Sequence, residues 1–91
     1  MIVKRRGKLE IIADILSSIQ DKGGKIKPTH LLYKSNLSHE KLKEYTNLLL
    51  KKGMIEEQVV KGKKVFFMKD QGHEFLLEFE KIKEFSDSFG L

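Results

Sequence analysis

The chain has 91 residues, 40% of them hydrophobic and 34% charged, with a formal net charge of +5. That is enough for one small folded domain and too apolar for a disordered tail. Cysteine is absent, which excludes disulfides, thiol catalysis, iron–sulfur centres and cysteine-based zinc sites and suits a reducing cytoplasmic compartment. No apolar run is long enough to cross a bilayer, and none long enough for a signal peptide follows Met1-Ile2-Val3-Lys4-Arg5-Arg6.

In chain order, residues 8–22 read as a helix, because Leu9, Ile12, Ala13, Leu16 and Ile19 recur at steps of three and four, widened by Ile11 and Ile15. Gly23-Gly24 ends it, and Lys25-Ile26-Lys27 alternates as a very short strand. Pro28 opens a second short helix over 28–35, with Leu31 and Leu32 turned inward. Asn36 provides a left-handed exit, Leu37 occupies a tight turn, and the Ser38 hydroxyl caps a third helix over 39–52. Its core stripe is Leu42, Tyr45, Leu48 and Leu49, and Gly53 stops it.

The period then changes. Two β-prone runs, 54–60 and 65–68, flank the basic turn Lys61-Gly62-Lys63-Lys64 and predict a hairpin. Helical spacing returns over 70–89, where Phe75, Phe79, Ile82 and Phe89 share a stripe flanked by Leu76 and Phe85. The predicted order is helix, strand, helix, helix, strand, strand, helix. This is a mainly α, α+β layout with a body at 1–69 and a long C-terminal helix at 70–91.

Charge is unevenly spread along this order. Residues 1–69 carry 16 Lys and Arg against 7 Asp and Glu, and residues 70–91 carry 2 against 6. A basic body with an acidic end fits a head that binds a polyanion, and fits lysine-rich solubility equally well.

Two helices joined by a three-residue turn and followed by a hairpin are the layout of a winged helix-turn-helix. The short link Asn36-Leu37-Ser38 forces a steep crossing, which leaves the start of the third helix protruding at a width that suits the DNA major groove. On that helix His39, Glu40, Lys43, Glu44, Asn47 and Lys51 point outward. Asn47 has the bidentate geometry for adenine, while His39 and Lys43 reach guanine or phosphate. Glu40 and Glu44 oppose dense phosphate packing. Lys61, Lys63 and Lys64 form a wing on the same reading, although lysines at a hairpin tip also keep strands from pairing edge to edge. Lys4, Arg5, Arg6 and Lys8 read as a minor-groove arm or as a frayed basic end. Lys25, Lys27 and Thr29 lie where a DNA backbone would pass. Ser38 and Lys41 complete the candidate contact set.

Metal and catalytic readings fail on spacing. His30, His39 and His73 make no helical ligand pair, Ser38 beside His39 is explained by capping, and Glu56-Glu57 alternate across a strand. No cofactor, no metal site and no enzymatic activity are expected.

The sequence resembles the small archaeal winged-helix proteins of about ten kilodaltons that bind DNA as dimers through a C-terminal coiled coil. The resemblance rests on Lys8-Leu9-Glu10-Ile11-Ile12-Ala13-Asp14-Ile15-Leu16, on Asn36-Leu37-Ser38, on Gly53-Met54-Ile55 and on Gly72-His73-Glu74-Phe75-Leu76. It implies archaeal origin, nucleoid-associated duplex binding without strong sequence demands, and dimerisation through the last helix; there the stripe Phe75, Phe79, Ile82 and Phe89 reads as a homodimer seam or as packing onto its own domain, and Leu76 and Phe85 favour the seam. Lys69 stands where such proteins often place threonine, so either Asp70 caps the last helix or the helix starts loosely. The stretch from residue 72 allows about five helical turns, short for a coiled coil by itself. The expected function is double-stranded DNA binding in transcription regulation or chromatin. The alternatives are a winged-helix module for protein–protein contact without DNA, and binding of structured RNA.

Overall fold

The structure is a computed structural model that describes residues 6–91. The elements are α1 (Lys8–Asp21), β1 (Lys25–Ile26), α2 (Pro28–Ser35), α3 (His39–Lys51), β2 (Ile55–Val60), β3 (Lys63–Met68) and α4 (Asp70–Ser88). Three antiparallel strands form one sheet in the order β1-β3-β2. This is the winged helix-turn-helix layout expected from the sequence.

α1 is the spine of the core. Ile15, Leu16 and Ile19 are fully buried, together with Leu31 of α2, Leu49 of α3 and Ile55 of β2. Leu9, expected on the buried stripe, is instead 57% exposed. It lies in the first turn of α1. In α3, Leu42 and Leu49 are buried with Thr46, and Tyr45 and Leu48 only half-buried. The Thr46 hydroxyl is satisfied by donating to the Lys43 carbonyl at 3.2 Å.

The turns follow the local chemistry of their residues. Asn36 takes the left-handed conformation at φ 54°, ψ 43°, and Ser38 Oγ accepts the Lys41 amide at 3.2 Å. Leu37 between them packs on the core. The wing is tighter than expected: strands run to Val60 and restart at Lys63, leaving the two-residue turn Lys61-Gly62 with φ of 53° and 76°. Two positive φ values match the right-handed twist of the hairpin. Lys63 and Lys64 are therefore strand residues. Asp70 does not cap α4. The N-cap is Lys69, without a side-chain cap, and Asp70 is the first helical residue, where its charge still favours the helix N-terminus.

Two contacts fix the body. Gly72 lets α4 pass so close to the start of β2 and the end of β3 that an added Cβ would collide with the Met54 carbonyl oxygen and lie 2.9 Å from Met68 Sδ. Arg6, expected in a DNA-contacting arm, is used inside the fold. Its guanidinium pairs with Asp14 at 2.8 Å and donates to the carbonyls of Ser35 at 2.8 Å and Asn36 at 3.1 Å. It thereby ties α1 to the end of α2, where the carbonyls lack helical partners. Arg5 lies outside the described residues.

Gly72→Ala is expected to lower unfolding stability by about 1–3 kcal/mol in denaturant titration, because the overpacking exceeds the roughly 1 kcal/mol gain in helix propensity. Arg6→Ala is expected to cost about 1 kcal/mol, with Arg6→Lys recovering only part, since an ammonium cannot span two carbonyls and a carboxylate as a guanidinium does. A stability equal to wild type for either alanine variant would contradict the contact assigned to it.

Candidate nucleic-acid interface

The exposed side of α3 is built by its periodicity. Leu42, Thr46 and Leu49 are buried, and His39, Lys43 and Asn47, one turn apart, align along the adjoining exposed face. These three side chains line an open groove of about 350 Å³ together with Thr29 at the start of α2 and Lys64 on β3. Leu32, Leu42, Leu50 and Phe66 form its apolar walls. Five of the candidate contact residues thus meet in one place, although they come from three elements.

The electrostatics of this groove are mixed. Glu57 also lines it and stands 3.5 Å from the Lys64 ammonium, so part of the wing charge is already compensated. Both side chains are well exposed, and such a pair is weak enough for a phosphate to compete with it. Among the described residues, Lys43 is in no ion pair.

Other candidates go elsewhere. Lys41 lies on the far side of α3 from Lys43, with its ammonium 3.7 Å from Glu44. Ser38 is exposed, and its hydroxyl is engaged in capping. Lys25, Lys27, Lys61 and Lys63 line a second groove of about 600 Å³. Alternation along β3 accounts for the split: Lys64 and Phe66 face the α3 groove, and Lys63, Val65 and Phe67 face the other.

Sequence reasoning did not place Lys22 or His30 at a nucleic-acid contact, although both line the second groove, nor Tyr33, which stands 85% exposed on α2. Tyr33 is four residues beyond Thr29 and so shares its side of the helix, a spacing that could have identified it.

The predicted apolar seam of α4 divides in two. Leu76 is 2% exposed and belongs to the core against α1, so it does not face a partner, contrary to expectation. Phe75 and Phe79 are half-buried on the same core, their ring centroids 6.2 Å apart. Past Phe79 the helix runs clear of the body. Ile82, Phe85 and Phe89 are 67%, 67% and 66% exposed, and the rings of Phe85 and Phe89 are 4.9 Å apart.

No cluster of three metal-ligating side chains occurs among the described residues, and no helix among them is long and apolar enough to cross a membrane.

Comparison with known proteins places the fold. A family model described as winged helix-turn-helix matches residues 5–87. Sso10a-2, a DNA-binding protein from Sulfolobus solfataricus, superposes with a TM-score of 0.81 at 20% identity, over 92% of this chain and 85% of that one. F93 from STIV, a winged-helix DNA-binding protein, gives a TM-score of 0.75 at 15% identity, over 88% and 92%. A MarR family transcriptional regulator from Silicibacter pomeroyi gives 0.75 at 18% identity, over 91% of this chain and 58% of that one. No curated protein matches at significant sequence similarity. With the family model spanning nearly every element described above, from α1 to the end of α4, this chain belongs to the winged helix-turn-helix family.

Proposed function

We propose that the chain binds double-stranded DNA and acts as a transcriptional regulator or chromatin-associated factor. One observation carries this reading. His39, Lys43 and Asn47 on α3 stand exposed in a single open groove with Thr29 and Lys64. α3 enters the major groove, where Asn47 meets base edges and His39 and Lys43 reach guanine or phosphate. Thr29 and Lys64 hold the sugar-phosphate backbone on either side. The DNA-binding neighbours of the same fold support the choice of duplex over other partners. Arg6 contributes by fixing the end of α2, and with it the angle of α3.

A homodimer is part of the proposal. The free end of α4 presents Ile82, Phe85 and Phe89 to solvent at helical spacing, and a second copy covers them by the same face. The runner-up reading, a protein-contact module without DNA, draws on this same aromatic face.

Gel-shift titration at two salt concentrations tests the duplex. Log affinity is expected to fall linearly with log salt, and Lys43→Ala and Lys64→Ala should each flatten the slope by about 0.9. Asn47→Ala is expected to cost about 1–3 kcal/mol on preferred sequences and little elsewhere. The absence of any shift at low salt, with every duplex tried, would favour the protein-contact module. Sedimentation should give twice the chain mass, reduced to a single chain by Phe85→Glu with Phe89→Glu and with no change in helical content. A monomeric wild type would refute the α4 seam.

A further inference from the structure

The second groove is the more strongly cationic of the two. Lys22, Lys25, Lys27, Lys61 and Lys63 line it with His30, and no carboxylate does. The α3 groove has only Lys43 and Lys64 as lysines, with Glu57 beside Lys64. The floor of the second groove is apolar, made by Ile26, Val60, Val65 and Phe67. Val65, which lines this side of the sheet, is 8% exposed. Lysine stems lying over an apolar floor with their ammonium groups in water give a lined channel and not a scatter of surface charge.

The channel adjoins the α3 groove across one strand. β3 directs Lys64 to one side and Lys63 to the other, and Lys61 of the hairpin turn lines the second groove. We propose that this channel is a second phosphate track, which holds the sugar-phosphate backbone of the duplex where it continues past the wing. The proposal rests on the duplex-binding reading and extends it. The wing divides the DNA it touches into a segment read by α3 and a flank gripped by charge alone. With five lysines against two in the α3 groove, the flank is the larger source of salt-dependent affinity, because each phosphate neutralised releases counterions.

Hydroxyl-radical footprinting on a duplex of about three helical turns, with the full chain, tests this. Wild type should protect two backbone patches, one at the α3 site and one beyond the wing. Lys25→Ala, Lys27→Ala and Lys63→Ala combined should erase the second patch, keep the first, and lower the salt slope by about 2–3 units. All three lysines are exposed, so the fold has no reason to suffer. Lys61 is left in place so that the hairpin turn it forms with Gly62 is untouched. The corresponding triple arginine variant should retain both patches. A wild-type footprint with only the α3 patch, or two patches and a slope unaltered by the alanine triple, would overturn the second track alone. A wild type that protects no duplex would overturn the duplex-binding reading as well.

Discussion

The arrangement of this protein depends on the three residues that join α2 to α3. Asn36 reverses the chain in the left-handed conformation, Leu37 anchors the reversal on the core, and Ser38 begins the next helix by accepting the Lys41 amide. Each does a different thing, and none is interchangeable with its neighbour. Arg6 adds a fourth constraint from outside, reaching from the start of α1 to the carbonyls of Ser35 and Asn36. With so short a link the angle between the helices is set, and the outward edge of α3 follows from it. His39, Lys43 and Asn47 are presented where Thr29 and Lys64 can join them because that angle is held.

Charge is distributed by the sheet. A strand sends alternate residues to opposite faces, so the single run Lys63-Lys64 supplies two different surfaces. On one, Lys64 is balanced by Glu57 at 3.5 Å. On the other, Lys63 joins lysines from the end of α1, from both sides of Ile26 and from the hairpin turn, with no acid among them. The molecule therefore places the polar edge of α3 and its densest cluster of lysines on two sides of one hairpin.

α4 serves two ends in succession. Its first half is part of the body: Gly72 permits the close approach to Met54, and Leu76, Phe75 and Phe79 pack on the core. Its second half leaves the body and exposes Ile82, Phe85 and Phe89 among acidic residues. Past Phe79 the helix therefore carries an exposed apolar face among acidic side chains.

The sequence by itself determined the seven elements and their order, since hydrophobic period, glycine and proline positions and the Ser38 cap are local signals that need no tertiary information. The outward edge of α3 was legible for the same reason. What the tertiary structure decided was which surface each charged or apolar side chain serves. Arg6 moved from an arm to an internal clamp because the end of α2, distant in sequence, supplies unpaired carbonyls. Leu76 went to the core and Ile82 to solvent because only packing against α1 settles where a long helix leaves the body. The wing lysines separated into two grooves because the hairpin turned at Lys61-Gly62, putting Lys63 and Lys64 into the strand, where adjacent side chains must face opposite ways.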